Sequence, residues 1–257
     1  MNKMKEKLDR YYKAYHQLNF IENDPILIPH RFSKKEDIEI MGFFASILAW
    51  GQRVSIINSC NKIAKIFDEN PHDFILNHKD SDLKACLGFV HRTFNDTDLL
   101  SIIGFLKEQY KEHGSLEHTF SKHLSSRSET IEGALIGFRQ SFEQCSSFVS
   151  RSKKHISSPL NGSACKRLCM YLRWMVRQDD KGIDFGIWKN IKPSQLVCPM
   201  DVHVLNTVNE IGLMRCDKSD WKTALELTSK LKRFSKEDPV KYDFALFGYG
   251  VNKKERL

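Results

Sequence analysis

Apolar residues recur at helical spacing along almost the whole chain. Leu8, Tyr11, Tyr12, Tyr15 and Leu18 mark a first helix over residues 2–18. A loop from Asn23-Asp24-Pro25 to Phe32 leads to a helix that Ser33 caps, with Glu36 and Asp37 in its first turn, running through Met41 to Trp50. After Gly51-Gln52-Arg53 comes another, carrying Ile56, Ile57, Ile63 and Ile66. Helices then continue to about residue 150, broken at Asn70-Pro71, His78 to Asp82, Asn95-Asp96 and Gly114-Ser115. Past Gly212, Trp221, Leu225, Thr228 and Leu231 mark one more helix, and Asp238-Pro239 opens a last one through Tyr242 to Gly248. No alternating pattern of strand period and no fixed repeat is visible. The pattern predicts an all-α fold.

Residues 163–201 hold the most informative pattern. From Ser163 to Arg177, Cys165, Leu168, Cys169, Leu172, Met175 and Val176 fall on one side of a helix, while Lys166, Met170, Arg173 and Arg177 fall nearly in line on the other. Such a cationic stripe is either solvated or a wall facing a polyanion. At the far end, Pro199-Met200-Asp201 precedes an amphipathic run with Val202, Leu205, Val208 and Ile211. Asp201 sits where a carboxylate caps unpaired helix N–H groups, which fixes it in place and keeps it ionised.

Charge sharpens this picture. The chain has 257 residues with 40 basic and 32 acidic side chains, a formal net charge of +8, which suits a polyanionic partner. Its length permits one large domain or two lobes sharing a core. The polar, basic stretch from Ser146 to Lys154, with Arg151, Lys153 and Lys154, reads as a lobe boundary near 146–158, as a loop touching a nucleic-acid backbone, or as a solvated loop, within a single two-lobed helical unit spanning 1–257. Seven cysteines without paired spacing indicate a reducing, cytoplasmic setting, with no disulfide scaffold and no iron–sulfur cluster. His113, His118 and His123 recur every five residues, about 140° apart on one helix, so no metal site is expected from them. No run is long enough to span a bilayer, so no membrane partner is expected.

A loop with Pro159 and Gly162, a helix with Lys166 near its start, and a later Pro199-Met200-Asp201-Val202-His203-Val204 helix start together resemble the helix-hairpin-helix DNA glycosylase superfamily, in particular archaeal 8-oxoguanine glycosylases. Lys-Arg-Leu at 166–168, Leu-Arg-Trp-Met-Val-Arg at 172–177, Asp184 to Trp188 and Asp238 to Gly248 resemble a bacterial group of the same kind. The resemblance implies a two-lobed helical bundle with the active cleft between lobes, Lys166 as Schiff-base nucleophile and Asp201 as its carboxylate partner. It further implies contacts to damaged double-stranded DNA from Gln52, Arg53, Gly162, Ser163, Arg173, Trp174, Arg177 and His203, with no metal, no cofactor and a monomeric protein. The chain departs from the superfamily's Leu-Pro-Gly-Val-Gly-Thr-Lys pattern. It has one glycine there, Lys166 lies four residues beyond it, and 35 residues separate Lys166 from Asp201.

The resemblance implies removal of a damaged, oxidised purine, followed by strand cleavage at the abasic site. A carboxylate stabilises the oxocarbenium-like sugar and a neutral amine captures C1′. Desolvation or neighbouring cations such as Arg167, Arg173 and Arg177 favour the neutral amine. Trp50, Trp174 and Trp188 are candidates for stacking on an extruded base or for the core. The rival readings are a nucleic-acid-binding protein without chemistry and a helical protein that docks an acidic partner.

Overall fold

The computed structural model describes residues 2–22 and 24–254. These residues are mostly helical, as the apolar periodicity predicts, and they divide into two compact units. One comprises residues 1–22, 127–132 and 158–257; the other comprises residues 23–126 and 133–157.

In chain order the first unit begins with α1 (Asn2–Tyr15) and α2 (Asn19–Glu22). The second unit holds α3 (Lys35–Ile47), α4 (Arg53–Ile66) and α5 (Pro71–Asn77). A hairpin follows, β1 (Val90–His91) and β2 (Phe94–Asn95), then α6 (Asp96–His113), α7 (Leu116–Ser121) and α8 (Glu132–Gln144). The first unit resumes with α9 (Lys166–Val176), α10 (Val202–Glu210), α11 (Trp221–Lys232) and α12 (Asp243–Lys254).

The second unit is built around phenylalanines. Phe120 stacks on Phe138 at 3.9 Å, while Phe43 and Phe105 meet Phe138 edge-on at 5.6 and 5.4 Å. Such pairs add geometric preference to burial. Its helix ends follow local chemistry. Asn95 and Asp98 form a capping box at the start of α6, and Gly114, with φ 69°, closes it. Ser115 then caps α7.

Two expectations are corrected here. α3 starts after Lys34, with no side-chain cap from Ser33, and stops at Ile47 rather than Trp50. The hairpin is absent from the sequence reading because two-residue strands are too short to show alternation. The basic run near residue 150 forms a 3-10 helix packed on α6, where Ser152 donates to Asp98 at 2.8 Å and Arg151 pairs with the same carboxylate at 3.1 Å, while Arg151, Lys153 and Lys154 stay exposed and the second unit ends at residue 157.

In the first unit α9 is central. Leu168 to Val176 are buried without exception, so beyond its first turn this helix is enclosed on both of its stripes, and Lys166 at its start stays partly exposed. α1 and α10 both pack on α12.

Candidate active site

The approach to Lys166 is a sequence of sharp local turns. Ser158 caps a 3-10 turn, Pro159–Asn161, through the Leu160 N–H. Gly162 follows with φ 72°, exposed, and an added Cβ there would meet nothing within 4 Å. Glycine serves this turn through its backbone freedom, not through close packing. The Gly162 carbonyl accepts the Trp221 N–H at 3.2 Å, which ties the turn to the start of α11. Ser163 Oγ accepts the Cys165 N–H at 3.1 Å, and the buried Cys165 adopts φ 49°. A cysteine in the left-handed region is strained; here it bends the chain so that α9 begins at Lys166.

Asp201 is the N-cap of α10, and its two oxygens have different partners. Oδ1 accepts the N–H groups of His203 and Val204 at 2.9 and 3.0 Å, while Oδ2 lies 3.4 Å from the Lys166 ammonium. The Lys166 side chain is 28 % exposed and that of Asp201 19 %, so the pair is open to a ligand yet half-sheltered. Phe247 on α12 places its ring 5.7 Å from the Lys166 ammonium and meets His203 edge-on at 6.3 Å.

One helical turn before Phe247 lies Asp243, the first residue of α12 and buried. Its carboxylate accepts from Arg173 Nη1. Burial pushes the Asp243 carboxyl up to about 6; the cations of Arg173 and Lys166 pull it down, and Asp201's charge adds to the rise. Arg173 Nε donates to Asp184 at 3.2 Å, and Arg177 reaches Asp184 at 2.9 Å and Asp238 at 2.8 Å. Phe244 covers both guanidiniums, 4.3 Å from Arg173 and 5.7 Å from Arg177. Burial also raises the Asp184 carboxyl, against the pull of these two arginines. The segment that carries Asp184 closes α9 as well: the N–H groups of Phe185 and Trp188 bond the Trp174 and Met175 carbonyls at 2.8 and 2.9 Å. These carbonyls belong to the last turn of α9, which has no partners within the helix.

The family described as protein of unknown function, DUF2400, matches residues 24–252. The chain belongs to this family. No curated protein and no solved structure matches it.

In this DUF2400 protein Lys166 and Asp201 are brought together, with Gly162, Ser163 and His203 within the same unit. Three residues expected to face DNA do not. Arg173 and Arg177 are buried at 3 and 2 % exposure and Trp174 at 0 %. The stripe is a real one, but carboxylates from Asp184, Asp238 and Asp243 meet it in place of phosphates. Trp188 is also core, edge-on to Tyr171 at 5.4 Å. Gln52 is exposed at the N-cap of α4, making no side-chain cap bond, and Arg53 is half-exposed beside it; both belong to the second unit.

Asp184 and Asp243 escaped the sequence reading. For Asp243 the run Asp243-Phe244-Ala245-Leu246-Phe247 signals an acid that must find a cation once buried, though not which cation. Among the described residues one group has metal-ligand spacing: His16, Asp179 and Asp180. The imidazole has Nε2 3.3 Å from Asp179 and Nδ1 3.9 Å from Asp180. Asp179 already accepts the N–H groups of Lys181, Ile183 and Asp184 and faces Arg177 at 3.4 Å.

Proposed function

We propose that this chain excises a damaged base from double-stranded DNA, with Lys166 as nucleophile and Asp201 as its carboxylate partner. The observation that carries this reading is the 3.4 Å approach of a partly exposed ammonium to a carboxylate locked by helix capping. The N-glycosidic bond breaks and its electron pair leaves on the base. Asp201 stabilises the positive charge that develops on the sugar. Lys166, its proton passed to a base such as Asp201, forms the C1′–N bond, and the sugar ring opens to an iminium. Loss of a C2′ proton then expels the 3′ phosphate, and water releases the amine. The lesion class proposed is an oxidised purine.

Charge supports a polyanionic substrate. The unit holding Lys166 has 24 basic and 17 acidic residues, the other 16 and 15, so nearly all the excess lies with the candidate site. Burial of Arg173 and Arg177 does not reduce this excess at the surface, because they are enclosed with Asp179, Asp184 and Asp243. The same excess favours a second reading, in which the chain binds nucleic acid without chemistry.

Base release from a duplex containing 8-oxoguanine separates the two readings. Asn at position 201 keeps most of the cap while removing the charge, so Asp201→Asn is expected to fold normally and to lose on the order of 100-fold or more in rate. Release by wild type that survives this change would remove the catalytic role of Asp201, and binding without release would leave the second reading.

A further inference from the structure

The hairpin of the second unit carries an exposed arginine in a backbone conformation suited to glycine. Arg92 has φ 56° in the two-residue turn Arg92-Thr93, between the paired residues His91 and Phe94. That region is strained for a side chain with a Cβ and open to glycine. The arginine side chain lies over Trp50, its guanidinium carbon 4.8 Å from the ring centroid. Trp50 is steadied edge-on by His91 at 6.0 Å, and His91 Nδ1 shares a hydrogen bond with Ser59 of α4 at 2.9 Å. Gly51, with φ 107°, leaves the room this needs, since an added Cβ would stand 2.9 Å from Arg92 Nη1. Two left-handed backbone positions thus hold the guanidinium of an exposed arginine over one indole.

The surroundings indicate what the guanidinium meets. α4 packs against β1, and Val54 of α4, Leu87, and Val90 of β1 are 69, 63 and 61 % exposed. Gln52 is exposed as well. Residues 51–58 and 87–95 supply Arg53 and Arg92 and no carboxylate, and the acid that follows them, Asp96, is engaged by the Gly88 and Thr97 N–H groups at 2.8 Å each. A planar guanidinium held by stacking is pre-organised to take a phosphate through two parallel N–H donors. Cations set beside exposed apolar side chains are the elements with which proteins enter a duplex groove.

We propose that Arg92, held over Trp50, is a nucleic-acid contact in which the guanidinium takes a backbone phosphate. The choice of duplex DNA rests on the proposed function; the phosphate-binding character rests on the Arg92–Trp50 arrangement itself.

The test is binding of the full chain to a fluorescein-labelled duplex with an abasic-site analogue, followed by anisotropy over a range of salt. Arg92→Gly is expected to weaken binding on the order of tenfold and to flatten the salt slope by about one, with an unchanged or higher melting midpoint because the turn strain is relieved. Arg92→Lys, which keeps the charge and loses the planar fork, is expected to lie between the two and serves if the glycine variant folds poorly. Poly-glutamate is expected not to displace the duplex. Wild-type affinity and salt slope in both variants, displacement by poly-glutamate, or no binding by wild type at low salt would overturn the proposal. Borohydride trapping through Lys166 is read separately. Arg92-dependent binding without an adduct would keep this surface and remove the glycosylase reading, and an adduct with Arg92-independent binding would do the reverse.

Discussion

Two sets of arginines, one in each unit, show how little a cation's place in the sequence says about its partner. Arg173 and Arg177 lie on a clean helical stripe, yet both are buried and answered by Asp184, Asp238 and Asp243. Arg92 lies in no periodic pattern, sits at a strained φ, and is exposed against an indole. A periodic stripe defines a face; what lies opposite that face is set by residues that arrive from elsewhere in the chain. The first pair is an internal fastening and the second a free-standing presentation, although all three are arginines.

The comparison breaks most readily at Arg177. Its removal leaves Asp238 without a guanidinium, Asp184 with Arg173 alone, and the enclosed carboxylate of Asp179 with only His16 and its backbone donors. Arg177→Ala is therefore expected to cost about 3–5 kcal/mol, seen as a drop in thermal midpoint of roughly 10 °C or more. A drop of only a degree or two would show that the network is not a fastening.

The next effect is a pH dependence of unusual sign at Asp243. Its folded carboxyl titrates at about 6, raised by burial above the ordinary 3.8. Between those values the folded state holds more protons than the unfolded state, so this group's contribution to stability falls as pH rises, and its ionisation is a penalty above 6. Asp243→Asn is expected to gain on wild type at pH 7.5 and to lose that advantage by pH 4.5. Depressed groups such as His113 and His123, held down by burial and by Lys122 and His118, act in the opposite sense in both proteins and cancel in the difference. A difference between the two proteins that does not change with pH would contradict the assignment.

The smallest effect is a control on the second unit's surface. Arg31 pairs with Glu69 at 2.6 Å with both side chains well exposed. Exposed pairs contribute little, so Arg31→Ala is expected to change stability by less than about 0.5 kcal/mol. A loss as large as that of Arg177→Ala would erase the distinction between buried and exposed pairing.

Much of the helical fold was legible because each long helix carries its own apolar face. The Asp201 cap was legible for a similar reason: Pro199-Met200-Asp201 and the amphipathic run after it are local. Lys166 as the first residue of α9 was less so, because the start is fixed by a left-handed Cys165 that no propensity favours. The environment of α9 was illegible, since Asp184 and Asp243 approach from loops and helices whose paths a single sequence does not encode in any short pattern. The histidines show the same limit in reverse. Their spacing was judged on one continuous helix, but Gly114 ends α6 and Ser115 starts α7, bringing the rings of His113 and His118 to 4.5 Å. Arg92 was missed because a hairpin with two-residue strands has no period and its turn lacks the glycine that would have announced it.

The most direct test of the central claim is borohydride reduction of the protein mixed with an abasic-site duplex, followed by mass mapping of any covalent product. A sugar remnant on the Lys166 amine, lost in Lys166→Gln while Arg177 and its carboxylates keep that variant folded, is the result expected. A well-folded wild type that binds the duplex and yields no adduct, or one whose adduct maps to another lysine, would contradict it.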